Sequence, residues 1–71
     1  MLSKEEVIRK LAENIRMERA RKKITQEYLA EMADITPQHL YRIENEKVSP
    51  TIHVVLNIAL ALGVDINKLI S

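Results

Sequence analysis

The chain has 71 residues, 11 Lys or Arg against 10 Asp or Glu, and 46% apolar residues. This suits one folded domain spanning 1–71, with a small core and no room for a second. There is no Cys, one Gly and no apolar stretch long enough to cross a bilayer, which excludes disulfides, Cys-ligated zinc, a Gly-rich phosphate cradle and a membrane span.

Ser3 opens the first expected helix. Ser3-Lys-Glu-Glu6 has the form of a capping box, a hydroxyl at the helix start with a carboxylate three residues on. Ile8, Leu11, Ala12 and Ile15 then mark one apolar face, and the basic residues through Lys23 close the helix. Thr25 caps a second helix from Gln26 to about Ala33, whose inner face is Leu29, Ala30 and Ala33. Asp34 and Ile35 make a very short connector. Thr36-Pro37 opens the third helix, with Thr as the cap and Pro in the first turn, where no N–H is needed. Leu40 and Ile43 face inward, and the helix ends near Asn45. After a loop from Glu46 to Pro50, Thr51 caps a fourth helix that runs to Leu62 and stops at Gly63. Asp65 caps a last short helix holding Ile66, Leu69 and Ile70. The expected architecture is all-α, a compact five-helix domain.

Charge is unevenly placed. Residues 1–25 carry an excess of four positive charges, and residues 26–48 an excess of three negative ones. Arg16, Arg19, Arg21, Lys22 and Lys23 hold the basic excess, which by itself reads as a solvated helix end. His39 and His53 lack partners at metal-ligand spacing. No Ser/His/Asp or metal-ligand set is present, so neither an enzyme nor a cofactor is expected. The start MLSKEEVIRK does not read as a secretory signal, and the expectation is a cytoplasmic protein.

Two short capped helices joined by so brief a turn must cross steeply. On a helical wheel of the third helix, Gln38, Tyr41, Arg42 and Asn45 lie opposite Leu40 and Ile43, with Pro37 and His39 flanking. Gln pairs with adenine and Arg with guanine in two-point geometry. The same face also reads as an ordinary solvated one, and the wheel alone does not choose.

From Ile15 to Leu69 the chain resembles the Cro/repressor-type (lambda repressor-like) helix-turn-helix family. The resemblance rests on IRMERARKKITQEYLA (15–30), ITPQHLYRIEN (35–45), Ser49-Pro50-Thr51, LNIALALGVD (56–65) and Leu69. It implies a DNA-binding regulator of transcription, with the second and third helices as the helix-turn-helix. By position, Thr25 and Gln26 would meet phosphate, helped by free N–H groups. Thr36, Pro37, Gln38, His39 and Arg42 would read bases or line the groove, with Tyr41 either at the groove wall or over the core edge. Asn45 and Lys47 would grip the DNA backbone from the loop, and Lys23 would add a phosphate contact. Arg19 and Glu44 match a structural ion pair. Where the family often has Gly, this chain has Lys23, Asp34 and Glu46; the last puts a carboxylate near phosphate.

The fourth helix is apolar nearly all round. Ile52, Val55, Leu56, Ala59 and Leu62 are its expected inner stripe. Val54, Ile58, Leu60 and Ala61, with Leu69 and Ile70, are the expected interface of a homodimer, unless the last helix and Leu2 and Val7 cover them. Such a dimer would set two recognition helices about 34 Å apart on an inverted-repeat operator of double-stranded DNA. Repression by occlusion is the simplest mechanism, and contact with RNA polymerase is a second. The rival reading is a protein-interaction module, such as an antitoxin bound to a toxin.

Overall fold

Every helix of this chain starts on a side chain that accepts a backbone N–H. The computed structural model describes residues 1–71 and has five helices and no strand. They are α1 (Lys4–Lys22), α2 (Gln26–Met32), α3 (Pro37–Glu44), α4 (Ile52–Leu62) and α5 (Ile66–Ile70). Ser3, Thr25, Thr36, Thr51 and Asp65 are the caps. At Ser3 the capping box is complete: Glu6 N donates to Ser3 Oγ at 3.1 Å and Ser3 N to Glu6 Oε1 at 3.0 Å. Hydrogen bonding from the Ser3 backbone N–H, and secondarily from the Ser3 hydroxyl, holds the Glu6 carboxyl below its ordinary range. Each cap contributes about 1 kcal/mol.

Four helices end alike. Lys23, Asp34, Glu46 and Gly63 all take left-handed backbone, at φ 57°, 60°, 60° and 71°. Each donates to the carbonyl three residues back, and the next residue donates five back; Glu46 N to Ile43 O and Lys47 N to Arg42 O are one such pair. This double closure satisfies the last carbonyls of a helix. The loop after α3 thus follows the path a glycine would give it, despite Glu46. The strain is real, because left-handed backbone costs a residue with a Cβ about 1–2 kcal/mol. Glycine gives back about 0.5–1 kcal/mol through its freer unfolded chain. Lys23→Gly and Glu46→Gly are each expected to stabilise by about 0.5–1 kcal/mol, raising Tm by roughly 2–8 °C in a thermal melt. Asp34→Gly gains less, since Asp tolerates this region better.

The core draws on every helix: Leu11 and Ile15 from α1, Leu29 and Ala30 from α2 with Ala33 just beyond it, Leu40 and Ile43 from α3, Val55, Ile58, Ala59 and Leu62 from α4, and Leu69 from α5. Ala30 and Ala33 are small, which lets α3 and α4 pack closely on α2. Asn14 ties the far end of the chain to α1, its amide donating to Leu69 O at 3.0 Å and Ser71 O at 3.1 Å. These bonds satisfy carbonyls that a five-residue helix leaves open.

The α4 expectation needs correction. Ile58 and Leu69, expected at a partner interface, are fully buried in the core. Ile52 and Leu56, expected inside, are exposed. The reason is α5, which folds back against both α1 and α4. The buried arc of α4 therefore turns to Val55, Ile58, Ala59 and Leu62. Of the other expected interface residues, Leu60 and Ile70 are exposed, and Val54 and Ala61 half-buried. Leu2 and Val7 are themselves exposed, so the outer stripe of α4 stays open. No helix is long and apolar enough to cross a membrane.

Candidate nucleic-acid interface

The eight residues of α3 divide lengthwise. Leu40, Ile43 and Glu44 are buried, while Pro37, Gln38, Tyr41 and Arg42 are exposed and His39 is half-buried. Thr36 fixes the start: its Oγ1 accepts from His39 N at 3.0 Å. Pro37 follows in the first turn with the φ a helix requires. Gln38 and Arg42 are four residues apart, so they share one ridge with a rise of about 6 Å. That is close to two base-pair steps. The ridge thus presents an amide and a guanidinium side by side, two groups that recognise purine edges in the major groove. Arg42 also lies in the last turn of α3, where the helix dipole favours a cation.

A buried carboxylate sets the angle of this helix. Glu44 is 2% exposed. Arg19 of α1 grips it at two points, Nε to Oε2 at 2.9 Å and Nη2 to Oε1 at 3.0 Å. Gln26 of α2 donates to Oε1 at 3.1 Å. Arg19 Nη1 also reaches Ile24 O at 3.3 Å, and Arg16 Nη1 donates to the Glu44 backbone carbonyl. Three helices therefore meet at one residue. The hydrogen bonds to Glu44 raise the Arg19 pKa above its already high ordinary value, so this cation stays charged.

The other expected site residues are placed as follows. Thr25 caps α2, its Oγ1 accepting from Tyr28 N at 3.0 Å. Both threonine hydroxyls use a lone pair in capping and keep their O–H to donate. Gln26 spends one amide N–H on Glu44, which leaves its second N–H and its carbonyl oxygen. Asn45 also spends one N–H at home, on Tyr41 O at 2.8 Å. This leaves its second N–H and its carbonyl oxygen. Lys23 and Lys47 are exposed at the ends of the turns before α2 and after α3.

Sequence reasoning missed Arg16 as a clasp on α3 and Gln26 as part of the Glu44 cluster. It also missed Glu18, which is buried with its carboxylate 3.7 Å from Arg21. The i, i+3 spacing of Glu18 and Arg21 was a usable signal. Nothing in the local pattern around Arg16 or Gln26 announces contacts 28 and 18 residues away. No group of three or more His, Asp or Glu side chains converges as a metal site.

Comparison with known proteins follows the same outline. A helix-turn-helix family model matches residues 15–69. Among solved structures, the chain superposes on the restriction-modification controller protein C.AhdI from Aeromonas hydrophila with a TM-score of 0.84 at 22% identity, covering 87% of this chain and 94% of that one. A hypothetical transcription factor, NHTF, from Neisseria gives a TM-score of 0.90 at 24% identity over 100% and 82% of the two chains. The clp gene regulator ClgR from C. glutamicum gives 0.84 at 24%, over 89% and 82%. At such identities the likeness speaks for the fold. A search of curated proteins finds no match.

Proposed function

Because this chain belongs to the Cro/repressor-type helix-turn-helix family of DNA-binding transcription regulators, we propose that it binds an inverted-repeat operator as a homodimer and represses by occluding a promoter. The observation that carries this is the exposed Gln38–Arg42 ridge of α3, on a helix whose opposite side is clamped through Glu44. In this reading Gln38 and Arg42 read bases, and Tyr41, His39 and Pro37 line the groove. Thr36, Thr25, Lys23, Asn45 and Lys47 hold the phosphates on either side. Gln26 joins them with its remaining polar groups while one amide N–H fixes Glu44. Such a regulator works in the cytoplasm, on the DNA itself.

Energetics support the dimer in this reading. One α3 offers few base contacts, and a net charge of +1 gives weak nonspecific attraction. Two copies double the contacts and make spacing part of the code.

The test is selection of bound duplexes from a random DNA library at near-physiological salt. The expected result is enrichment of an inverted repeat with half-site centres about 10 base pairs apart. Enrichment of a single half-site would remove the dimer. No enrichment by folded protein would overturn the DNA reading and leave the protein-partner one, with a toxin or polymerase subunit sought by pull-down.

A further inference from the structure

The last four carbonyls of α3 all have donors. Tyr41 O accepts from Asn45 N, Arg42 O from Lys47 N and Ile43 O from Glu46 N. The fourth, Glu44 O, accepts from Arg16 Nη1, which reaches across from α1. Arg16 is exposed and makes no ion pair with a carboxylate. One of its five N–H groups is thus engaged within the chain, and four remain to donate. The place it occupies is electrostatically awkward for DNA. A helix C-terminus carries partial negative charge and repels an anion. The loop that follows does not reverse this by itself, because in residues 45–50 the carboxylate of Glu46 cancels the charge of Lys47.

We propose that Arg16, with the second N–H of Asn45 and the ammonium of Lys47, forms a site for one DNA phosphodiester at the C-terminal end of α3. This rests on the DNA-binding reading above and adds a contact to it. The anchor on Glu44 O sets the guanidinium beside Asn45, the next residue in the chain, and supplies the positive charge that the helix end and its loop lack. A guanidinium suits the task, since its planar fork offers parallel N–H groups to two phosphate oxygens at once. A side chain already held at one nitrogen also loses less freedom when it binds. Arg16 stands 28 residues before Glu44, so a phosphate held here ties α1 and α3 to the same strand. It fixes the end of α3 that carries Arg42, and with it the depth at which that side chain enters the groove. Glu46 is exposed in the same loop, and its repulsion of phosphate is what Arg16 offsets.

The test measures DNA binding by Arg16→Gln at several salt concentrations, on the selected operator and on an unrelated duplex. Each bound chain is expected to lose about eightfold in affinity at about 0.1 M salt on both, with a salt slope shallower by about one unit, the value of a single phosphate. Lys68→Gln removes the same charge from the exposed side of α5, which packs on α1 and α4, and is expected to leave the slope unchanged. Operators carrying one neutral methylphosphonate at a time then locate the contact. At one phosphate of each half-site, neutralisation is expected to weaken the wild-type protein severalfold and Arg16→Gln not at all. If every methylphosphonate weakens both proteins alike and the slope is unchanged, Arg16 only braces α3 and the site is overturned, while DNA recognition stands. A change of base preference by Arg16→Gln at an unchanged slope overturns it in the same way. A wild-type chain that binds no duplex overturns the DNA reading and this site with it.

Discussion

Arg19→Met is expected to destabilise the domain by about 3–5 kcal/mol, because it strands a buried carboxylate. Glu44 loses both guanidinium bonds, at 2.9 and 3.0 Å, and keeps only Gln26 on its side chain. The size of the effect follows from burial rather than from the attraction itself. A solvent-exposed pair of the same geometry would be worth less than about 1 kcal/mol. A chain of 71 residues has roughly 4–11 kcal/mol of total stability, so the variant sits near the edge of unfolding at 37 °C. Urea denaturation measures it. The double variant Arg19→Met/Glu44→Leu is expected to recover most of the loss, since no charge then remains to be desolvated. A single-variant cost below about 1 kcal/mol would show that water reaches Glu44.

Arg42→Ala carries the second large effect, on recognition rather than folding. It is expected to cost about 1–3 kcal/mol on the best operator and to relax preference at the positions Arg42 reads. Fold stability should change little, because the side chain is exposed. Lys47→Ala provides the contrast: it is expected to weaken specific and nonspecific DNA alike and to shallow the salt dependence by about one unit. Binding titrations on an operator, on single-base variants and on unrelated duplex, at several salt concentrations, separate the two. A uniform loss from Arg42→Ala would reassign it to phosphate, and an altered base preference from Lys47→Ala would move the loop onto the bases.

The helix starts were legible in the sequence because each is written locally. Ser3, Thr25, Thr36, Thr51 and Asp65 stand at their positions for a reason contained within three residues. The two faces of α3 were legible too, since periodicity separates Leu40 and Ile43 from Gln38 and Arg42. What local pattern could not supply was the third dimension. α4 is apolar nearly all round, so nothing in its own sequence says which arc α5 will turn inward. Leu56 and Ile58 exchanged places on that account. Gln26 shows the same limit. An amide at a helix start gives no local sign that α1 and α3 bring Glu44 beside it. The closures at Lys23, Asp34 and Glu46 were half visible, as places where glycine is usual. That ordinary residues would accept the same left-handed backbone follows from the two hydrogen bonds each closure completes.

The lengthwise division of α3 has a consequence for how such a protein can change its address. Leu40, Ile43 and Glu44 answer to the body of the molecule, while Gln38 and Arg42 are exposed on its outer side. Substitutions on the outward ridge touch no core contact and leave the Glu44 clamp in place. On the proposed reading, stability and operator choice are set by different letters of one eight-residue word. A lineage can respell its target, one position at a time, without passing through an unfolded ancestor.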